Sequence, residues 1–502
     1  MRANDKILDA TALSIIFVLT AANIMVLSYN TSNGYISPDS SSYLRLAERM
    51  VSGHGLFIPS NGRQGFAESW FAWWPVGYPA LIAFVAWGLG VSTFLASKIL
   101  NVLLLNSAVF LMYRSLGREG LIAAGILLTA GTLTNYTYTW SEAPFLTTLI
   151  ILCLYLGGIV TGRYTVTVSV SFALVGLLIA TFLSRYIGLF AVAPASLVSI
   201  YIYTKGRRRE AMLAFGASLF ATTVCFLYLV NNKYLTGFLT GLDRVPARET
   251  SSELLWQLTL SVGREFVFIL HDWIPGDFKQ DVTVVVWFII SIAILVFSFG
   301  KSRRKSTLMA SKHVYIFILV GVLYLGAIVC ARWTIHGDEF SSRLLDPGFA
   351  LIFIGFVIWL QRFDTRFKRP LVIFFVTNFL IVSAINIYKV KLHIASGETY
   401  LENIERARMK YADLPDDAIV LFGENELRYL RPNIRVAYPR YTQTYSLYDE
   451  SWSEFLSNLD FSSPIFVETG GRSQIPDRYH ETVRQALQSL PANSLLLLNG
   501  AN

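Results

Sequence analysis

Apolar runs of membrane-spanning length follow one another along the chain, separated by short polar turns in which lysine and arginine predominate. A helix that crosses a bilayer needs about 20 mostly apolar residues. Runs near that length occupy 8–29, 91–113, 120–137, 143–161, 166–183, 186–204, 211–230, 282–300, 313–331, 348–361 and 371–388. They predict about 11 membrane helices. The third, fifth and tenth are short or abut a neighbour, so the pattern admits one more or one fewer. The first run stands behind Arg2 and Lys6 and stays apolar to Ser28 with no small-residue cleavage site. A retained signal-anchor helix is expected there, rather than a cleaved signal peptide.

Three polar segments are longer than turns: 30–90, 231–281 and the tail after 388. In the first, 40–51 puts Tyr43, Ala47, Met50 and Val51 on one helical face and Arg45, Glu48 and Arg49 elsewhere. That pattern predicts an amphipathic helix lying on the membrane surface. Trp70, Trp73, Trp74 and Tyr78 follow as an aromatic cluster suited to the headgroup level. Residues 77–90 are apolar but too short and glycine-rich to span, and read as re-entrant or interfacial. The tail changes period. Strand-like runs at 417–422, 433–437, 464–468 and 494–498, with a helical pattern at 478–490, predict a small α/β domain. The expected fold class is therefore an all-α polytopic membrane module over 1–388, with an α/β extracytoplasmic domain over 389–502.

Composition strengthens the membrane reading. Hydrophobic residues make up 54% of the chain and charged ones only 15%, against about 25% charged in an average soluble protein. The formal net charge of +8 does not point to nucleic acid, because the cations collect in loops at 205–209, 301–305 and 362–369. With the N-terminus cytoplasmic, the inner segments hold Arg2, Lys6, Arg114, Arg118, Arg163, these clusters and Lys312. The facing segments hold Asp39, Glu142, Asp272, Asp277, Asp338 and Glu339. This is the positive-inside pattern, and it places the tail outside. Cys153, Cys225 and Cys330 all fall in apolar runs and read as small buried hydrophobes. His54, His271 and His336 have no zinc-ligand spacing. No phosphate loop, dinucleotide fingerprint or nucleophile elbow stands in a supporting context.

The sharpest local motif is Ser37-Pro38-Asp39-Ser40, directly after the first apolar run. Asp39 reads as the N-cap of the amphipathic helix, and a carboxylate fixed at a helix N-terminus also suits a general base. Asp39 is followed by Tyr43, Ala47, Gly53 and Gly55, and then by Trp74-Pro75-Val76-Gly77-Tyr78-Pro79. Further along stand Ser141-Glu142, Ser184-Arg185-Tyr186, Arg343-Leu344-Leu345-Asp346-Pro347 and Leu414-Pro415-Asp416-Asp417-Ala418. In order and position these motifs resemble the bacterial GT-C glycosyltransferases, in the branch of the protein O-mannosyltransferases and the lipid A aminoarabinose transferase. The resemblance implies a membrane enzyme of the cytoplasmic (inner) membrane that takes a sugar from a polyprenyl-phosphate carrier and passes it to a glycan, lipid or protein. It implies Asp39 as catalytic base and Glu142 as a second acid that binds acceptor, orients the sugar or holds a cation. Arg185 and Arg343 would meet the carrier phosphate, and Tyr43 and Tyr78 count among the substrate-binding positions. The family often has two adjacent acids in the first loop, whereas Ser40 follows Asp39 here. No cofactor is demanded, although the two acids would accommodate a divalent cation. The competing readings are a transporter or flippase of a lipid-linked glycan, and a polysaccharide ligase or polymerase. A transporter would favour charges inside spans and repeated halves, and neither is visible.

Overall fold

The computed structural model describes residues 3–59, 68–241, 244–268, 312–336, 340–363, 365–438, 452–460, 462–468 and 495–498. Contacts divide the chain into two compact units. Unit one comprises 1–25, 101–228 and 246–389; unit two comprises 26–100, 229–245 and 390–502.

Among the described residues, 8 helices are long and apolar enough to cross a membrane: Ile7–Asn30, Thr93–Leu116, Glu142–Thr161, Tyr186–Thr204, Arg208–Thr236, Lys312–Thr334, Arg343–Phe363 and Lys368–Ser396. Three expected spans are missing from that set. The run 282–300 lies outside the described residues. The run 166–183 forms Val168–Ser184, a helix of 17 residues. The run 120–137 is not one helix but three pieces, Arg118–Ala123, a tight 3-10 turn at Ala124–Leu128, and Ala130–Thr137. Glycine and hydroxyl residues weaken the helix there. The Thr129 hydroxyl donates to the Ile126 carbonyl at 2.7 Å, and Asn101 Nδ2 donates to the carbonyls of Tyr136 and Tyr138 at 2.9 and 2.8 Å. Broken backbone survives in an apolar interior only when its polar groups are satisfied in this way.

Unit one is built around the Glu142–Thr161 helix, 83% of whose apolar window is buried, against 22% for Lys368–Ser396. The latter turns Ile373 and Ile387 outward, as a lipid-facing helix does. Lys312–Thr334 packs closely along Ser342–Phe363. Gly321 makes that approach feasible, because a Cβ on it would press on the Gly348 carbonyl at 2.7 Å; small residues let membrane helices come together. Cys153 and Cys225 are buried as expected, but Cys330 is exposed, on the outer face of its helix.

In unit two the amphipathic helix spans Pro38–Val51 and packs against Gly77–Leu89 and Asn425–Leu430. Its polar face is not left to water or lipid headgroups: Arg45 and Arg49 are only 7% and 2% exposed. Arg45 Nε donates to the Pro432 carbonyl at 3.1 Å and Nη2 to that of Ile434. Arg49 reaches the Phe57 carbonyl, Glu68 and Asn433 Oδ1. Acceptors from the tail thus replace the expected membrane surface. Strands β1 (Phe57–Pro59) and β2 (Glu68–Trp70) pair antiparallel beside this helix.

Gly34 lies at φ +59°, where an added Cβ would collide with the Tyr400 ring. That ring cannot swing away, since it is 4% exposed and stacked on Phe94 with centroids 4.1 Å apart. Gly34→Ala should therefore cost about 1–3 kcal/mol. A thermal midpoint equal to that of the unmodified protein would show that the turn adapts freely.

The tail forms a four-stranded sheet from β3 (Ile419–Leu421), β4 (Arg435–Ala437), β5 (Ile465–Glu468) and β6 (Leu495–Leu498), in the order β4-β3-β5-β6. Central β3 is parallel to β4 and β5, while β6 closes the edge antiparallel. All three residues of β3 are buried, as expected of a strand covered on both faces. Fully buried Glu468 ends β5, accepting from the Tyr411 hydroxyl at 2.8 Å and the Glu424 N–H at 2.8 Å and pairing with Lys410. The helical pattern at 478–490 lies outside the described residues.

Candidate active site

Two groups of site residues take shape, one in each unit. In unit two, the Ser37 hydroxyl, not Asp39, caps the Pro38–Val51 helix, accepting from the Ser40 N–H at 3.3 Å. Pro38 supplies the first helical residue, where its missing N–H costs nothing. Asp39 sits in the first turn, half-buried, with its capping duty already met by Ser37. The helix N-terminus favours negative charge there. Tyr43, one turn on, is fully buried and meets the Tyr78 ring edge-on at 5.5 Å and the Trp74 ring at 6.4 Å. Tyr78 is also fully buried, so both tyrosines belong to the packing beneath the helix.

In unit one, Glu142, Arg185 and Arg343 converge, although 43 and 201 residues separate the glutamate from the two arginines. Glu142 opens its helix and is fully buried. Its Oε1 accepts from Arg343 Nε at 2.6 Å and from Arg185 Nη1. Arg185 sits at the break between the Val168–Ser184 helix and the 3-10 turn Tyr186–Ala191, and Arg343 in the first turn of Ser342–Phe363. Three helix ends therefore deliver three charges to one place. The guanidiniums also lie over aromatic rings, Arg343 over Trp140 at 4.6 Å and Arg185 over Phe145 at 5.9 Å. Side-chain exposures of 13% and 20% for Arg185 and Arg343, against 0% for Glu142, leave the arginines as the accessible members.

Asp346 turns away from this trio. Its carboxylate accepts from Thr132 Oγ1 at 2.9 Å and Asn135 Nδ2 at 2.7 Å, donors that the broken 120–137 run provides. Asp338 and Glu339 lie outside the described residues. Thr132, Asn135 and Trp140 escaped the sequence reading. Polar residues inside an apolar run were the available signal. Glu249 pairs with Arg332 and lies 3.3 Å from His336 Nδ1. The hydrogen bond from Arg332 lowers the Glu249 carboxyl to about 2. Among the described residues no three acidic, histidine or cysteine side chains converge as a metal site.

This architecture superposes on the crystal structure of ArnT from Cupriavidus metallidurans bound to undecaprenyl phosphate, with a TM-score of 0.53 at 11% identity over 94% of this chain and 96% of that one. The chain has the ArnT fold, a GT-C fold. It is the fold that the motifs around Asp39, Glu142, Arg185 and Arg343 resemble. An archaeal oligosaccharyltransferase, AglB from Archaeoglobus fulgidus in complex with an inhibitory peptide and a dolichol-phosphate, aligns at a TM-score of 0.48 and 9% identity, over 98% of this chain and 74% of that one. No protein-family model matches the sequence, and no curated protein matches it.

Proposed function

We propose that this GT-C chain is a glycosyltransferase that moves a sugar from a polyprenyl-phosphate carrier to a glycan, lipid or protein acceptor. The supporting observation is a fold shared over 94% of the chain with a structure that holds undecaprenyl phosphate. Asp39 takes the proton from the acceptor hydroxyl or amine as its oxygen or nitrogen attacks the anomeric carbon. The bond from that carbon to the phosphate oxygen breaks, and the phosphate departs with the electron pair. One such displacement inverts the anomeric centre. Arg185 and Arg343 stabilise the departing phosphate, for which planar guanidiniums are suited, while Glu142 fixes their positions. The cation clusters orient the protein in a cytoplasmic membrane with the N-terminus inside and residues 389–502 outside.

The test is full-length protein in proteoliposomes given a polyprenyl phosphate bearing a radiolabelled sugar, together with a cell-envelope extract as acceptor. Label should leave the carrier only when the protein is present. Arg343→Gln should raise the KM for the carrier about 10- to 100-fold, in line with roughly 1.5–3 kcal/mol for a hydrogen bond to a charged group. Label that stays on the carrier across a range of sugars would remove the transferase reading.

A further inference from the structure

Lys98, in the second turn of the membrane-length helix Thr93–Leu116, is fully buried. Among the described residues it is the one lysine so enclosed. Lysines near a helix end normally stretch their ammonium out to water, and an ionisable group kept inside an apolar stretch marks a function. Lys98 turns inward instead. Its Nζ donates to the Tyr35 carbonyl at 3.4 Å and lies 5.2 Å from the ring centroid of Phe94, one turn earlier on the helix. Tyr35 sits at φ +55°, directly after Gly34 at +59°. The left-handed region is unfavourable for a bulky residue, and such strain persists only where the surroundings hold it. The turn belongs to the short link between the first membrane helix and the helix that bears Asp39. Bonds within it are local. The Gly34 N–H donates to the Thr31 carbonyl at 3.2 Å, the Tyr35 N–H to Asn33 Oδ1 at 3.0 Å and the Ile36 N–H to the Asn33 carbonyl at 2.9 Å. Side chains from two other helices tie the link down, Asn403 Nδ2 at the Ser32 carbonyl (2.6 Å) and Lys98 Nζ at that of Tyr35.

We propose that Lys98 is a positioning residue for Asp39, acting through the Tyr35 carbonyl. Its role in transfer rests on the transferase reading above, whereas the tether itself does not. Only Ile36, Ser37 and Pro38 stand between Tyr35 and Asp39. Pro38 has a fixed φ and Ser37 is engaged as the helix cap, so a shift of the turn is passed on to the start of the helix. Removing the Lys98 donor releases a residue whose left-handed backbone is unfavourable unaided, and the turn relaxes toward the ordinary range. Asp39, in the first turn of the helix, moves with it. A misplacement of about 1 Å at a reacting group lowers a rate by about 10²-fold. The carrier phosphate, held by Arg185 and Arg343 in the transferase reading, is bound as before.

The experiment uses full-length protein in phosphatidylcholine nanodiscs. It is read by backbone hydrogen exchange and by transfer from radiolabelled polyprenyl-phosphate sugars to a cell-envelope extract. Lys98→Met, close in length and apolar, removes the donor, and Lys98→Leu does the same should the first variant fail to fold. Amides of residues 34–41 should then exchange about tenfold faster, with those of Glu142–Thr161 unchanged. The kcat should fall by about tenfold or more while the KM for the carrier stays within about twofold. Lys98→Arg, which keeps a long donor, should restore most of both. Unchanged exchange over 34–41 overturns the tether. Faster exchange with an unaltered kcat, or a lower kcat matched by a higher KM, overturns the positioning role. If even the parent protein transfers no sugar while Lys98→Met still loosens 34–41, the tether stands and the transferase reading falls.

Discussion

Asp39→Asn is expected to reduce sugar transfer by about 10²–10⁴-fold, the usual contribution of a general base, with the protein otherwise intact. The helix cap does not depend on this carboxylate. The Pro38–Val51 helix is capped by Ser37, whose hydroxyl accepts from the Ser40 N–H, so loss of the Asp39 charge leaves the cap in place. Ser37→Ala, by contrast, should cost about 0.5–2 kcal/mol of stability and disturb Asp39 only indirectly. The amide of asparagine matches the carboxylate in size but cannot accept the acceptor's proton. Transfer of label from a polyprenyl-phosphate sugar, with protein amount and melting measured alongside, checks both parts. Full transfer by a well-folded Asp39→Asn protein would transfer the base role to another group.

Glu142→Gln should be the most destabilising single change in the arginine cluster. Removing one member of a buried ion pair leaves the other uncompensated, at a cost of about 3–5 kcal/mol. Here two partners are stranded together, because Arg185 and Arg343 both bind Glu142 Oε1. Their mutual repulsion, screened by the carboxylate in the intact protein, would then act in a low-dielectric surrounding. The triple replacement Glu142→Leu, Arg185→Met and Arg343→Met should cost less than Glu142→Gln alone, since well-packed apolar residues can replace buried ions at little expense. Thermal melting in detergent compares the two. A Glu142→Gln protein as stable as the parent would mean that the cluster is solvated.

Much of this architecture is legible in the sequence, because lipid imposes a simple rule on composition. Apolar runs at 143–161, 313–331 and 371–388 lie within helices that are one, four and eleven residues longer, and the tail strands fall inside their expected windows at 419–421, 435–437, 465–468 and 495–498. Long-range pairing is not legible. Nothing local to Arg45 announces that its acceptors are carbonyls 387 and 389 residues away, so its helix reads as a surface element. The run 120–137 passes a hydropathy test although Thr129, Thr132 and Asn135 serve as hydrogen-bonding groups within it. The site divides in the same way. Glu142, Arg185 and Arg343 stand out as charges bordering apolar stretches, but their convergence on one carboxylate oxygen depends on three helix ends that only the fold brings together.

The hydrogen bonds from Arg45 to the Pro432 and Ile434 carbonyls bear on how the protein tolerates being cut. Those carbonyls belong to the tail, while the guanidinium projects from the helix that bears Asp39. Shortening the chain before residue 432 would strip a sequestered cation of both its tethers and let water in along that helix. The tail thus works as a splint on the opening loop, and a version of the protein lacking it should lose the set of the helix that carries Asp39 rather than merely an appendage.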